Sequence, residues 1–293
     1  MNILIPDSWL REHLKTKATV KQITEYLALC SQTVEKTSKT NGDSIYEIEI
    51  TTNRSDCLSV YGIARELNAL LPQFKIKAKL KKIAANKKEI PPVKKGLPLK
   101  VKITKPSLCT RFTALIFDNL QIKPSPKIIQ QRLEKSGIRS LNNVVDISNY
   151  LMLELGQPMH TFDYDKIKRA TMILREAKKD EKIVTLDKER RILPQGAIVI
   201  EDGASRIVDL CGIMGGANSE VNQKTKKVLL FVQTYNPLKI RQTCQALAFR
   251  TEAASRFEKG VDPEGVLLAM KKAILMFEKN CGARVASNLI DIY

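Results

Sequence analysis

The sequence is poor in the residues that metal sites and disulfide frameworks require. Its 293 residues include only two histidines and six cysteines, and no two cysteines lie within five residues of each other. Without a CxxC pair, and with so little histidine, a zinc site is not expected. The thiols are therefore predicted to be free, as in a reducing compartment.

Other absences narrow the class of protein. No apolar run reaches the ~18 residues that a membrane-spanning helix needs. The N-terminus "MNILIPDSWLREHL" lacks the basic head and apolar core of a signal peptide. The phosphate-binding patterns GxxxxGK[ST] and GxGxxG and the nucleophile pattern GxSxG do not occur. The sequence therefore predicts a cytoplasmic protein that has neither these phosphate-binding loops nor this nucleophile turn.

Positive charge is what the chain has in excess. Lysine and arginine number 49 against 31 acids, a net charge of +18, so nucleic acid is the predicted partner. Twelve lysines and one acid, Glu89, lie between Lys75 and Lys105, where Pro91 and Pro92 interrupt regular structure. The segment predicts a linker, or a strand followed by a linker. Its lysines are interpreted as a solvated connector, with phosphate contact as the alternative; base stacking is not expected because no aromatic residue follows Phe74 there.

Hydrophobic periodicity predicts an α+β fold in two parts. "TVKQITEYLALC" and "NRSDCLSVYGIARELNALL" place apolar residues on one helical face, and "IYEIEI" alternates as a half-buried strand does. Residues 1–72 are therefore predicted to form a small α+β module, and residues 73–98 are predicted to form a lysine-rich linker. Between 99 and 281, a strand, a helix, several short strands and a final helix predict a larger mixed α+β domain with an antiparallel sheet. Residues 282–293 are predicted to form the start of a connector to a following domain.

Helix-end signals make the prediction more specific. Thr19 and Gln22 predict a capping box, and Ser55 or Asp56 a cap for the helix that follows them. Two further helices are predicted to begin at caps and end at glycines, at Ser125 with Gly137 and at Asp262 with Gly282.

Two short stretches could carry chemistry. "CGIMGG", from Cys211 to Gly216, could bring backbone amides close to a ligand, although a tight turn is the simpler interpretation. "NYLMLELGQPMHTFDYD" places His160 on a Gly/Pro turn with two acids nearby, a setting in which a structural loop histidine is the commoner outcome. The residues alone thus predict a basic two-domain protein with a nucleic-acid partner, and they identify no reaction.

Longer strings of residues are more specific than periodicity. They are "TTNRSDCLSVYGIAREL" (51–67), "GIRSLNNVVDISNYLMLELGQPMHTFD" (137–163), "GIMGG" (212–216) and "FRTEAASRFEKGVDP" (249–263). Their order and spacing resemble those of the bacterial phenylalanyl-tRNA synthetase β subunits. With the opening "IPDSWLREHL" they cover nearly the whole chain, which is similar to the family's N-terminal module followed by its B3/B4 editing domain.

The resemblance implies part of a ligase that attaches phenylalanine to its tRNA. Aminoacylation would use ATP and Mg²⁺ on an α subunit in a heterotetramer, with no ATP or metal bound by this portion. The portion itself would serve assembly, RNA binding and editing, which is the hydrolysis of tyrosine wrongly attached to the phenylalanine tRNA. The family's inserted OB-fold domain has no room in "EKTSKTNGDSIYEIEI", and the family's C-terminal domains are expected to be missing. A truncation is the favoured interpretation, and a free-standing RNA-binding or trans-editing module is the alternative.

The resemblance also implies an editing pocket, because the matching strings contain the family's pocket positions. By this resemblance His160 stands near the ester and the terminal adenosine, and Gly212 lets the substrate approach the backbone. A polar group that pairs with the tyrosine hydroxyl would reject phenylalanine, which leaves it unpaired. The pocket residues are Ser148, Asn149, His160, Gly212, Phe231, Thr251 and Ala253.

One of these positions departs from the family pattern. Counted from Gly216 and anchored by Pro237, Phe231 stands where the family has a glutamate that recognises the tyrosine hydroxyl. A phenyl ring cannot accept that hydrogen bond, and it is expected to occupy space meant for the substrate. Gln233 and Thr234 are the candidate replacements. Ala248 and Ala254 also replace a usual glycine and serine, so weak or absent editing is predicted.

Overall fold

The N-terminal part of the chain is built on a short antiparallel sheet. The structure is a computed structural model that describes residues 1–84, 89–90 and 92–293. Strands in the order β1-β4-β3 form this sheet, and β2 pairs with β5 in a separate two-stranded sheet. The elements are β1 (Asn2–Pro6), α1 (Asp7–His13), β2 (Leu14–Thr16), α2 (Val20–Cys30), β3 (Thr33–Thr40), β4 (Asp43–Glu49), α3 (Val60–Leu70) and β5 (Ala78–Leu80).

Two five-stranded sheets dominate the rest of the chain. The central sheet has the order β16-β7-β15-β8, with β17 also paired to β7, and the second sheet has the order β14-β13-β12-β9-β6. The elements are β6 (Lys100–Ile103), β7 (Phe112–Asp118), α4 (Lys127–Lys135), α5 (Asn143–Leu155), β8 (Met159–Asp163), β9 (Thr171–Glu176), β10 (Lys182–Val184), β11 (Arg190–Ile192), β12 (Ile198–Asp202), β13 (Ile207–Leu210), β14 (Met214–Gly215), β15 (Val228–Gln233), α6 (Pro237–Ala246), α7 (Glu252–Phe257), α8 (Gly265–Cys281), β16 (Arg284–Val285) and β17 (Ile290–Ile292).

The strand pairing confirms the predicted α+β class with an antiparallel sheet. Every pair in the central sheet is antiparallel. In the second sheet β6 runs parallel to β9, and the other pairs are antiparallel. Among the described residues, no helix combines the length and the apolar character that a bilayer crossing requires.

The central sheet separates two apolar cores. On β15, Val228, Leu230 and Val232 face the first core, which also holds α4, α5, α8 and the N-terminal elements. Leu229 and Phe231 face the second core, which the second sheet and α6 complete. All six residues of β15 are buried. Burial on both faces explains why this strand is a continuous apolar run rather than an alternating one.

Three of the predicted helix-end signals are confirmed, and the cap of α3 was placed wrongly. Thr19 and Gln22 form the capping box of α2, Gly137 follows the end of α4 with φ +80°, and Gly282 ends α8 with φ +66°. Ser59, not Ser55 or Asp56, caps α3 by accepting a hydrogen bond from the Gly62 amide at 2.9 Å. Ser55 and Asp56 belong to a separate 3₁₀ turn that precedes this cap.

The two other predicted caps are also wrong. Pro126 occupies the cap position of α4, and the Ser125 hydroxyl instead donates to Asp146 Oδ2 at 2.6 Å. Asp262 accepts a hydrogen bond from the Glu264 amide at 2.9 Å, in a turn that comes before α8. In both cases a competing partner, distant in sequence for Ser125 and local for Asp262, takes the side chain that the sequence pattern assigned to the helix end.

The predicted lysine-rich linker, residues 73–98, contains the strand β5. Its residues 85–88 and 91 lie outside the described residues. The domain boundaries remain predictions. Strand β5 ties the beginning of this segment to the N-terminal part, because Leu80 pairs with Leu14 of β2.

Trp9, the single tryptophan of the sequence, makes one of the contacts that join the N-terminal part to the rest of the chain. Trp9 of α1 is fully buried, and its ring centroid lies 4.6 Å from that of Tyr150 on α5. The guanidinium of Arg132 lies 5.3 Å from the Trp9 ring centroid and donates to the Tyr150 hydroxyl at 2.6 Å. This contact combines a large apolar burial with a cation–π interaction.

Replacing Trp9 tests how strongly this contact couples the two parts. Trp9→Ala is expected to lower the free energy of unfolding by about 3–5 kcal/mol, because it leaves a cavity in a core that both parts share. Urea unfolding followed by far-UV circular dichroism measures the change. Leu29→Ala is the control, since Leu29 is 66% exposed on α2, and it should shift the free energy by at most ~0.5 kcal/mol. Equal effects of the two changes would contradict the assignment.

Candidate functional site

A small cavity lies between the central sheet and the glycine-rich turn that follows β13. Its volume is about 50 Å³, which is room for a few water molecules. We call it the His160 cavity. Its walls come from β8, β13, β14, the end of β15 and α7, and the lining residues are Pro158, Met159, His160, Asp209, Gly212, Ile213, Met214, Gly215, Gln233, Ala253 and Phe257.

His160 forms one wall and is held by packing. It stands on β8 directly opposite Phe231 of β15, and its ring meets the Phe231 ring edge-on, with the centroids 5.6 Å apart. A Cβ on Gly215 would lie 2.3 Å from His160 Nε2, so the ring position requires glycine there. Burial lowers the pKa of His160 to about 4. The imidazole is therefore neutral at neutral pH and offers no positive charge to a ligand.

Two buried polar side chains share the cavity with His160. Burial raises the pKa of Asp209 to about 8, against a smaller lowering by a hydrogen bond with the Cys211 thiol, so the carboxyl keeps its proton at neutral pH. Gln233 is 2% exposed, and its Oε1 has no hydrogen-bond partner among the described residues. An unpaired buried acceptor costs about 1–3 kcal/mol. The cavity thus contains neutral polar groups and an acceptor that a ligand could satisfy.

The glycine-rich turn and α7 complete the cavity. Gly212 has φ +71°, and a Cβ there would lie 2.9 Å from Ile240 Cδ1, so both backbone and packing call for glycine. Thr251 caps α7 by accepting from the Ala254 amide at 3.2 Å, and it donates to the Ile213 carbonyl at 3.0 Å. Thr251 therefore fixes the turn to the helix that brings Ala253 into the wall.

Not all of the predicted pocket residues meet at this cavity. His160, Gly212 and Ala253 line it, and Thr251 holds its wall. Among the described residues, the lining does not include Ser148, Asn149 or Phe231.

Ser148, Asn149 and Phe231 lie elsewhere, each in a defined setting. Ser148 and Asn149 belong to α5, whose apolar residues pack in the first core, and the Ser148 hydroxyl donates to Val144 O at 3.4 Å. Phe231 is fully buried in an aromatic cluster in the second core, with its ring centroid 4.8 Å from that of Phe162 and 5.7 Å from that of Phe112.

Sequence reasoning missed Asp209 and named Gln233 only as a replacement candidate. The available signal for Asp209 was an acid inside the short apolar strand "RIVDL". Thr234, the other candidate, is engaged elsewhere, because its hydroxyl accepts from the Arg111 amide at 3.1 Å and its own amide donates to Arg111 O at 2.9 Å. Of the two candidates, Gln233 is the one that lines the cavity.

A buried arginine links α7 to the N-terminal part. Arg256 is 1% exposed, and its Nε donates to Leu58 O at 3.2 Å while Nη1 donates to Glu252 O at 2.9 Å. Burial lowers the pKa of Arg256, with Glu252 opposing that effect. The helix that carries Ala253 is therefore attached at its other end to the loop before α3.

Among the described residues, one group has the spacing of a metal site. Ligand atoms of Asp56, Cys57 and Glu66 lie within 4.8 Å of one another. Arg54 already donates to all three, at 2.9 Å to Asp56, 3.0 Å to Cys57 and 2.6 Å to Glu66. Burial raises the pKa of the Cys57 thiol to about 12, so the thiolate that a metal requires is disfavoured. The group is better described as an ion-pair network around Arg54.

Comparison with known proteins gives consistent matches. The B3/4 domain family matches residues 108–282. The chain is 40% identical over 251 residues to the phenylalanine–tRNA ligase β subunit of Carboxydothermus hydrogenoformans, a match that covers 86% of this chain and 30% of the relative. It is 41% identical over 255 residues to the same subunit of Geobacter sulfurreducens, again over 86% of this chain and 30% of the relative. The chain therefore spans about a third of the length of these curated relatives.

Among solved structures, a synthetase fragment is similar to this chain at a low level. It is an N-terminal fragment of the phenylalanyl-tRNA synthetase β subunit from Pyrococcus horikoshii. The match has 17% sequence identity and a TM-score of 0.43, and it covers 85% of this chain and 73% of that one.

The contact between Gly215 and His160 can be tested by adding a single methyl group. Gly215→Ala is expected to lower the free energy of unfolding by about 1–3 kcal/mol, because the new Cβ overlaps the imidazole. Chemical denaturation measures the loss. Gly265→Ala is the matched control, since its Cβ would lie 3.6 Å from the nearest side-chain atom, Gln157 Oε1. A Gly215 variant as stable as the control would show that the ring does not pack there.

The raised pKa of Asp209 predicts a pH dependence of stability. The folded carboxyl keeps its proton up to about pH 8, whereas the unfolded one loses it near 3.8, so rising pH favours the unfolded state across this interval. Asp209→Asn cannot ionise. The difference in free energy of unfolding between this variant and the parent protein should therefore grow in favour of the variant from about pH 4 to about pH 8, by at most ~1.4 kcal/mol per pH unit. Above about pH 8 the difference should stay constant.

Urea unfolding at a series of pH values measures this effect. Asp180→Asn, at an exposed position, is the control and should give a curve parallel to that of the parent protein. If the Asp209 variant also runs parallel to the parent protein, the carboxyl does not titrate in a buried environment.

Proposed function

The chain belongs to the B3/4 domain family, and from that premise we propose that it acts as the N-terminal part of a phenylalanine–tRNA ligase β subunit. The support is sequence identity of 40% and 41% to such subunits across 86% of the chain. In the proposed enzyme, ATP- and Mg²⁺-dependent aminoacylation takes place on an α subunit. The present portion contributes assembly of the αβ heterotetramer, contact with the phenylalanine tRNA, and editing.

Editing is proposed to take place at the His160 cavity. The reaction is hydrolysis of an ester, in which water adds to the acyl carbon and the ribose oxygen leaves with a proton. Such a reaction needs a positioned water and oriented polar groups more than it needs covalent participation by the protein. The observation that carries the proposal is the unpaired Oε1 of Gln233 in one cavity with neutral His160 and neutral Asp209.

His160 is proposed to orient water rather than to act as a strong base. A general base works best when its pKa lies near the working pH, and the pKa of His160 is about 4. Its neutral ring can still accept a hydrogen bond from water and hold that water against the glycine-rich turn. A low pKa and tight packing both support slow hydrolysis.

Discrimination against phenylalanine is proposed to rest on Gln233. Its Oε1 can accept a hydrogen bond from the tyrosine hydroxyl, which phenylalanine lacks, and a site with such a buried partner can discriminate strongly. The protonated carboxyl of Asp209 supplies a second polar contact. The cavity of about 50 Å³ is smaller than the ~150 Å³ that holds a benzene ring. The walls must therefore move to admit a tyrosyl group, which supports weak editing.

The proposal is tested by deacylation of tyrosine from the phenylalanine tRNA, with and without an α subunit. The parent protein should hydrolyse the ester slowly. Gln233→Ala should reduce that rate by about tenfold or more, because a hydrogen bond worth ~1.5 kcal/mol is lost. Phe231→Glu should not raise it, because residue 231 lies outside the cavity lining and a carboxylate there would be buried among Phe112 and Phe162.

Gln245→Ala, at an exposed position on α6, controls for a nonspecific effect of replacing glutamine. Rapid hydrolysis by the parent protein that Gln233→Ala does not slow would contradict the proposal. Activity that does not depend on an α subunit, from a chain that fails to associate with one, would instead favour a free-standing editing module.

A further inference from the structure

A groove on the N-terminal part concentrates lysine and excludes acid. Its volume is about 1100 Å³, and no acidic residue is among the described residues that line it. We call it the lysine groove. The lining residues are Lys15, Thr16, Lys17, Gln22, Pro72, Lys75, Ile76, Lys77, Ala78 and Lys79. All five lysines are exposed.

The pairing of β2 with β5 brings these lysines together from two distant stretches of sequence. Lys15 stands directly opposite Lys79, and Thr16 opposite Ala78. The Thr16 hydroxyl donates to Lys77 O at 2.9 Å and extends the contact between the strands. Lys75 closes a 3₁₀ turn with φ +60°, and Lys77 and Lys79 follow it, one before and one within β5. Residues two apart in extended backbone place their side chains on one face, ~6.6 Å apart, so Lys77 and Lys79 can contact successive phosphates of an extended strand.

The arrangement is unfavourable for the protein by itself. Like charges directly opposite each other on paired strands destabilise a sheet, and Lys15 and Lys79 are such a pair. Within the part of the chain that the structure describes, no carboxylate forms an ion pair with any of the five groove lysines. A repeating anion laid along the groove would neutralise both rows at once.

We propose that the lysine groove binds the phosphodiester backbone of a single RNA strand. Lysines set along a groove suit a linear polyanion, and an aromatic pair lies close in sequence to the groove residues Gln22 and Lys75. The rings of Tyr26 and Phe74 stack with their centroids 3.8 Å apart, and both residues are half-buried. Phe74 precedes Lys75 in the chain, and Tyr26 lies one helical turn from Gln22. Grooves that bind single strands combine lysine rows with aromatic platforms in this way.

The choice of RNA over another polyanion rests on the proposed function, whereas the affinity for a phosphodiester strand rests on the groove alone. The assignment also differs from the sequence-based interpretation of Lys75–Lys105 as a solvated connector. Only the first three of those twelve lysines line the groove, and Lys15 and Lys17 come from about sixty residues earlier.

The test measures binding of a short fluorescent single-stranded RNA to the full chain by anisotropy over a range of salt concentrations. Lys77→Ala/Lys79→Ala should bind more weakly, and the slope of log affinity against log salt should fall by about 1.4, since each lost phosphate contact on a single strand contributes ~0.7. The melting temperature should not fall, because the change removes the opposition between Lys15 and Lys79.

Lys178→Ala/Lys179→Ala is the matched control, as it removes the same charge at exposed positions of the loop between β9 and β10. It should keep the parent salt slope. The proposal is overturned if both double variants lose affinity alike, or if the groove variant binds as the parent does. It is equally overturned if binding of phosphatidylserine vesicles or of an acidic peptide depends on the groove lysines while binding of RNA does not. Because the probe carries no aminoacyl ester, the result is independent of whether the chain edits.

Discussion

Burial of β15 on both of its faces is the constraint on which the rest of the structure depends. The strand lies between β7 and β8 and supplies side chains to both cores. A shift in register by one residue would exchange the residues that face the two cores, so the pairing is tightly specified. His160 reaches its cavity because β8 pairs with β15 in this register, and Gln233 lies in the same cavity because it ends the same strand.

The charge of the protein and the polarity of its candidate site are separate properties. The His160 cavity contains a neutral imidazole, a protonated carboxyl and an amide, whereas the excess of lysine lies on the surface. Phe231 fits this division. A carboxylate in its place would be buried among Phe112 and Phe162, where an unpaired charge is costly. The phenyl ring avoids that cost and offers no hydrogen-bond acceptor to the neighbourhood of His160.

Much of the fold was predictable because it depends on local pattern. The capping box at Thr19, the glycine at the end of α8 and the mixed α+β class all follow from periodicity and turn chemistry. The caps of α3, α4 and α8 were placed wrongly because competing hydrogen bonds depend on partners such as Asp146, twenty-one residues from Ser125. The family strings led to His160, Gly212 and Ala253, which meet in space. They did not reveal Asp209, whose environment arises from the packing of the second sheet, nor the lysine groove, which requires the pairing of β2 with β5.

Helix α7 is short, and both of its ends are fixed. Thr251 at its start holds the glycine-rich turn through Ile213 O, and Arg256 near its end holds the loop before α3 through Leu58 O. Each residue of an α-helix turns the chain by about 100°. Inserting or deleting one residue between Thr251 and Arg256 would therefore aim the guanidinium away from Leu58. The two anchors therefore fix the length of this six-residue helix. Its sequence can change by substitution, whereas an insertion or deletion would break one of the two contacts.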